Sequence, residues 1–157
     1  MTLQTSIQAA LFTTLLVIVC VAPIQAAPRG TYLEGSAAYE RGDYTTARKI
    51  WSPLAVQGDA DAQLGIGLMY DDGKGIPQNY PEAMKWYRKA AEQGNARAQA
   101  LLGVMYISGR GVTKNFSEGV KWIRKAAEQG DAGAQLGVGL MYDDGLDVSQ
   151  NYLEAVK

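Results

Sequence analysis

The 157-residue chain has 15 basic and 16 acidic residues, a near-neutral balance that argues against nucleic acid as its main partner. It has no histidine, and its one cysteine, Cys20, lies close to the N-terminus, so the usual general base, the commonest metal ligand and any later thiol are absent. We therefore expect no catalytic residue, no metal and no cofactor, and a fold that is held together by packing without disulfides.

Residues 1–26 have the features of a secretory signal peptide. They contain no Lys, Arg, Asp or Glu, and the segment from Ala9 to Ala22 is mainly apolar but short for a membrane span. Ala26 supplies the small residue expected at a cleavage point. We predict cleavage after Ala26, secretion to the periplasm and no stable membrane insertion afterwards. Retention of the segment as an uncleaved anchor is the alternative.

Residues 27–57 are predicted to form a divergent helical hairpin of the tetratricopeptide type. Tyr44, Ala47 and Trp51 match Tyr80, Ala83 and Tyr87 of the next unit at an offset of 36 residues. The turn at 40–43 is shorter than the corresponding loops that follow it in the chain. This hairpin is expected to cap the N-terminal end of a helical stack.

The rest of the chain repeats one 36-residue pattern in three copies, at 58–93, 94–129 and 130–157. The first two copies align without a gap and share 19 identical residues over 36 positions. A fixed period of this length is typical of a solenoid, in which each unit buries its apolar face on its neighbours. Such a fold favours a binding surface over a catalytic pocket.

The first helix of each repeat, helix A, is predicted from about Ala60 to Asp72 in the first copy. Asp59 can cap its start, and Gly73 follows its end. A glycine recurs in the middle of helix A, where it costs about 1 kcal/mol relative to alanine. Its presence in every copy predicts close helix–helix approach at Gly67, Gly103 and Gly139.

The second helix, helix B, starts at a capping-box pattern, in which Asn79 and Glu82 are expected to satisfy each other's backbone N–H groups. An apolar stripe follows at helical spacing and includes both Trp86 and Tyr87. Because the tryptophan recurs in the same register, we expect Trp86 and Trp122 in the repeat core. Trp122 is predicted to be buried between its own helix A and the next repeat.

The repeated pattern resembles a known family. The sequence Ala-x-Ala-Gln-x-x-x-Gly-x-Met-Tyr-x-x-Gly-x-Gly, followed by Lys-Trp-x-Arg-Lys-Ala-Ala-Glu-Gln-Gly, resembles the Sel-one-like repeats of the tetratricopeptide superfamily. The resemblance is close over 58–157 and looser over 31–57. It implies an all-α fold, an α-solenoid of stacked antiparallel helix pairs in a right-handed superhelix, and use as a protein-interaction module.

An enzyme is the rival interpretation, because one branch of Sel-one-like proteins is described as β-lactamases. Members of that branch carry cysteine pairs in every repeat, and this chain has none of them. Neither the Ser-x-x-Lys element nor the Lys-Thr-Gly element of serine β-lactamases occurs here. We favour a non-enzymatic adaptor, with a cell-wall enzyme of that branch as the alternative.

The third repeat has little more than one turn of helix B before Lys157. Incomplete cover of its apolar residues predicts self-association or fraying at this end. A structural fragment without an autonomous role is a further interpretation.

Two charged patterns suggest functional sites but have simpler explanations. The pairs Asp71-Asp72 and Asp143-Asp144 lack the ligand spacing of a calcium loop, so they are expected to be solvated acids. The basic side chains of helix B, such as Lys85 and Lys121, are balanced by glutamates at helical spacing and are expected to form a solvated face.

Residues that bind a protein or peptide partner should lie where the copies differ, on helix A and the loop after it. Three registers vary in this way and supply the candidate residues Asp61, Arg97 and Gly133; Asp71, Ile107 and Asp143; and Lys74, Arg110 and Leu146. We expect helix A to line a concave surface on which these positions contact an extended partner.

Overall fold

The computed structural model describes the backbone of residues 29–143 and the side chains of residues 31–139. This part of the chain forms seven helices and no strand: α1 (Arg29–Glu40), α2 (Tyr44–Gln57), α3 (Ala60–Asp72), α4 (Tyr80–Glu92), α5 (Ala96–Ser108), α6 (Phe116–Glu128) and α7 (Ala132–Asp143). The predicted signal peptide, the second helix of the third repeat and Leu146 lie outside the described residues.

The helices follow each other as stacked hairpins. Each helix packs against the next one in the chain, and α1 also contacts α3. Helices α1, α3, α5 and α7 are therefore the helix A elements, and α2, α4 and α6 are the helix B elements. The predicted all-α solenoid is confirmed, as are the bounds of helix A in the first copy.

Local capping signals determine where the helices begin and end. The side chains of Asp59 and Asn95 accept hydrogen bonds from the backbone N–H three residues later, at 2.7 and 2.9 Å. Gly58 and Gly94 have φ values of 99° and 91°, a left-handed conformation that glycine adopts without steric cost and that allows the chain to turn between units.

The predicted capping box is only half formed. Asn79 accepts from the Glu82 N–H at 3.1 Å, as expected. The N–H of Asn79, however, donates to the Tyr70 carbonyl at 2.9 Å, so the Glu82 carboxylate is not needed there. Glu82 pairs with Lys85 instead. The expectation of reciprocal capping is thus wrong, because the loop folds back onto the end of α3.

One buried side chain of helix B occupies the centre of each unit. Trp51, Tyr87 and Ile123 are equivalent in register and are 2%, 0% and 4% exposed. Tyr87 lies over Gly67, where an added Cβ would be 2.5 Å from the tyrosine ring. At Gly103 the added Cβ would be 2.7 Å from a backbone oxygen of α6. The predicted close approach is confirmed at these two glycines. It is not observed at Gly139, where an added Cβ would meet no atom of the described residues within 4 Å.

The repeated tryptophans lie beside the core. Trp86 and Trp122 are only half-buried, and each packs on the apolar cluster of the preceding unit. Their outer faces are covered by Lys89 and Lys125, whose Nζ atoms lie 4.3 and 4.5 Å from the ring centroids. The prediction that Trp122 is buried against the next repeat is wrong, because the adjacent residue of the stripe points to the centre.

A ladder of glutamine side chains links successive units, and it was not predicted from the sequence. Gln63 donates to the Ala55 carbonyl at 3.1 Å and accepts from Gln93 at 2.8 Å. Gln99 repeats the arrangement one unit later, with distances of 3.0 and 2.7 Å. Since both central glutamines are buried, each needs these partners, and the stacking register is therefore fixed by hydrogen bonds as well as by apolar contacts.

Candidate functional site

The varying residues at the start of helix A are exposed. Asp61, Arg97 and Gly133 occupy the first turns of α3, α5 and α7 and have high solvent exposure. Asp61 accepts a hydrogen bond from the Asn95 side chain at 2.9 Å, which links two units. Both charges also influence Tyr32: burial raises its pKa, Asp61 raises it further and Arg97 lowers it. These residues lie on an accessible surface of the stack.

The varying residues near the end of helix A form a buried polar contact. Asp71 is 8% exposed, and its Oδ2 accepts from the Tyr87 hydroxyl at 3.2 Å. Arg110, from the loop of the next unit, places Nη2 3.7 Å from the same oxygen and its guanidinium 5.2 Å from the centre of the Tyr80 ring. The expectation that Asp71 is a solvated acid is wrong, because Tyr87 and Arg110 hold it between two units.

This buried contact is unsuited to acid–base catalysis. Burial, together with the negative charge of Asp71, raises the pKa of Tyr87 above its usual value, so the phenol stays protonated and only donates. A general base must be able to reach a proton of the substrate, whereas the Asp71 carboxylate is enclosed by protein. The Asp71–Tyr87 pair therefore stabilises the packing of α3 against α4, and Arg110 connects this pair to the next unit.

Lys74 and Asp72 form a second, more exposed contact on the same loop. Their charged atoms are 2.9 Å apart, and Asp72 also accepts from the Tyr39 hydroxyl at 3.1 Å. Burial and this hydrogen bond raise the pKa of Tyr39, and the Asp72 carboxylate raises the pKa of Lys74. Asp72 thus joins the first repeat to the first hairpin, and Lys74 adds a cation–π contact with the Tyr39 ring at 5.3 Å.

Variation between copies near the end of helix A reflects changes in the core. The Asp71–Tyr87 pair of one unit is replaced by Ile107 and Ile123 in the next. Ile107 is half-buried and packs against Gly119. A polar pair and an apolar pair thus fill equivalent space. Asp143 ends α7.

The exposed apolar side chains are concentrated on the helix A elements. Leu33, Val104 and Leu136 are 61%, 43% and 65% exposed and belong to α1, α5 and α7. Side chains at helical spacing on three of these elements form a stripe, which we call the helix A face: Asp61, Leu68 and Asp72 on α3; Arg97, Leu101, Val104 and Ser108 on α5; and Gly133 on α7. Leu136 shares the register of the buried Leu64 and does not belong to this stripe.

The apolar part of this face was missed from the sequence. A signal for it exists, because α5 carries more apolar residues than one buried stripe needs. Leu102 and Met105 are fully buried, whereas Leu101 and Val104 on adjacent positions are left for the surface. An apolar stripe bordered by charges is typical of protein-interaction surfaces.

Other kinds of site find no support within the described part of the chain. No cluster of three or more His, Cys, Asp or Glu side chains there could hold a metal ion. None of the helices in that part combines the length and the apolar character that a membrane crossing requires.

The chain matches the family model of the Sel1 repeat at residues 60–95, 96–131 and 132–157. No curated protein matches it significantly. These matched segments begin at the helix A elements and include the helix B elements that follow them.

Solved structures share the fold. A Sel1 repeat protein from Oxalobacter formigenes is 38% identical over 80% of this chain and 51% of its own, with a TM-score of 0.70. The protein c5321, a protective antigen present in uropathogenic Escherichia coli strains with an SLR fold, is 40% identical over 74% of this chain and 26% of its own, with a TM-score of 0.68. This chain thus spans about half and about a quarter of these two structures.

A third structure, cysteine rich protein B from Helicobacter pylori, is 20% identical over 70% of this chain and 92% of its own, with a TM-score of 0.56. At this identity the likeness concerns the fold alone.

Proposed function

The chain belongs to the Sel1 repeat family, and we propose that it acts as a non-enzymatic scaffold that binds another protein along the helix A face. Repeat proteins of this kind commonly present an extended surface, built from equivalent positions of successive units, to one partner. The helix A face would be concave and would receive an extended segment of the partner.

The observation that carries this proposal is a difference in burial between the side chains that recur in the copies and those that vary on the helix A face. Side chains that recur in the copies, such as Gln63 and Gln99, are buried and bonded within the stack. The exposed apolar side chain of Val104 lies instead on α5, on the same face of the helix as Arg97, a charge that changes between copies. Apolar anchors would supply affinity, and the changing charges would supply selectivity.

Site-specific photo-crosslinking tests the proposed surface. Benzoylphenylalanine at position 104 is expected to give a discrete adduct in cells that produce the protein. The matched control is position 56, because Val56 is 78% exposed but lies on a helix B element. Adding Arg97→Glu should remove the adduct at 104. Identical adducts from both positions, or an adduct that persists with Arg97→Glu, would contradict binding along the helix A face.

The enzyme alternative has a separate test. A scaffold without catalytic groups should not turn over nitrocefin, since the chain has no histidine, its one thiol belongs to the segment proposed to be removed, and Asp71 is enclosed. Hydrolysis by purified protein that scales with enzyme concentration, and that survives a second purification step, would favour the β-lactamase interpretation.

We also propose that the protein is secreted to the periplasm after removal of residues 1–26. The charge-free apolar start and Ala26 support this. Mass spectrometry of the exported protein should then find Ala27 as its first residue. Ala26→Tyr, which places a bulky residue at the cleavage point, should leave the segment attached. Full-length protein retained in the membrane would overturn the proposal.

A further inference from the structure

Two equivalent grooves lie on the helix B side of the stack, each between a helix B element and the loop of the next unit. The first groove has a volume of about 380 Å³ and is lined by Thr45, Arg48, Lys49, Ser52 and Gly75. The four residues from α2 follow each other at helical spacing and so share one face. The first groove therefore combines two cations and two hydroxyl groups and contains no acidic side chain.

The cations of the first groove have no charged partner among the described residues. Arg48 and Lys49 are exposed, and neither forms an ion pair, a hydrogen bond or a ring contact with another described residue. Helix α2 has no Asp or Glu within its bounds. The balance of charge that we expected along helix B thus does not extend to α2.

The second groove, one unit further along, provides an internal comparison. It has a volume of about 480 Å³, is framed by α4 and Gly111, and has three cations. Each of them has a partner: Lys85 pairs with Glu82, Arg88 donates to the Tyr106 hydroxyl and Lys89 lies over Trp86. The two grooves are therefore built alike, but the cations of the second groove have partners within the protein and those of the first groove do not.

The rim of the first groove is fixed by close packing. Gly75 has a φ of 72°, and a Cβ added there would be 2.7 Å from Cβ of Tyr44 and 3.3 Å from its carbonyl oxygen. The loop therefore lies directly against the start of α2. Because the helix and the loop are both held in place, the four polar side chains face a preformed opening.

We propose that the first groove binds a phosphate group, either of a free solute or of a lipid headgroup. A guanidinium offers paired donors that match two phosphate oxygens, and an ammonium adds a second positive charge. The hydroxyls of Thr45 and Ser52 can donate to further oxygens. A volume near the lower end for ligand pockets suits a single such group.

Titration with sodium phosphate, followed by amide NMR at constant ionic strength, tests this site. Residues 45–52 and Gly75 should shift and saturate. In the variant Arg48→Gln/Lys49→Gln, affinity should fall by at least about tenfold, because two charge-assisted contacts are lost. The matched variant Lys85→Gln/Lys89→Gln should bind as the parent does. Both variants change exposed side chains, and an unchanged Tm verifies that they fold.

Vesicles distinguish the two sources of phosphate. Sedimentation with phosphatidylglycerol vesicles, but not with phosphatidylcholine vesicles, that is lost in Arg48→Gln/Lys49→Gln would identify a lipid headgroup. Binding of free phosphate without sedimentation would identify a solute. Shifts that never saturate, or equal losses in the two double variants, would overturn the proposal. Since crosslinking at position 104 reports on the opposite helices, its result is independent of this one.

Discussion

Replacing Trp51 with alanine is expected to lower the free energy of unfolding by about 3–5 kcal/mol. Trp51 is 2% exposed, and its ring lies between α1 and α3. Its Nε1 donates to the Tyr32 carbonyl at 3.2 Å, and its ring stacks on that of Tyr32 at 5.9 Å. Loss of this side chain would open a cavity between the first hairpin and the first repeat.

The change at Trp51 should be large relative to the whole stability of such a domain, which is typically about 5–15 kcal/mol. Trp122→Ala is the matched control, because Trp122 is half-buried and its outer face is covered by Lys125. We expect the control to cost about 1–2 kcal/mol, from partial loss of apolar burial and of the cation–π contact. Urea unfolding measured by circular dichroism gives both values. Equal losses of unfolding free energy in the two variants would show that Trp122 contributes as much to the core as Trp51 does.

The difference between Trp51 and Trp122 shows what the repeat pattern can predict. Period and capping residues depend on neighbours close in sequence, so the helices were predicted with nearly their observed bounds. Trp86 and Tyr87 are adjacent on one apolar stripe, and either could have faced the core. The direction from which the neighbouring unit approaches determines which of the two faces the core, and the sequence of a single helix does not determine that direction.

The candidate site was predicted less completely, for a related reason. Variation between copies is expected at residues that bind a partner, but it also occurs at residues that are exchanged together inside the core. Asp71 and Ile107 vary because Tyr87 and Ile123 vary with them, whereas Arg97 varies at the surface. Only burial separates the two cases. Likewise, the glutamine ladder joins residues 30 positions apart, beyond the reach of helical periodicity.

The close approach of α5 and α6 makes Gly103 a position where a single added methyl group should disrupt the packing of two helices. An added Cβ would lie 2.7 Å from the Gly119 carbonyl oxygen and 2.6 Å from Cγ1 of Ile123. The isoleucine can move, but the carbonyl belongs to the backbone of the facing helix. Gly119 has the same relation to the Gly103 carbonyl oxygen, at 2.7 Å, so the two helices meet backbone to backbone.

Gly103→Ala is therefore expected to lower the free energy of unfolding by about 1–3 kcal/mol. The clash outweighs the higher helix propensity of alanine relative to glycine. Gly139→Ala is the matched control, because Gly139 occupies the same register of α7 and a Cβ added there meets no atom of the described residues within 4 Å. In the control only the helix propensity changes, and stability should rise by up to about 1 kcal/mol. Thermal unfolding should thus shift in opposite directions for the two variants. A stabilising effect of alanine at both positions would mean that α5 and α6 are further apart than the packing at Gly119 requires.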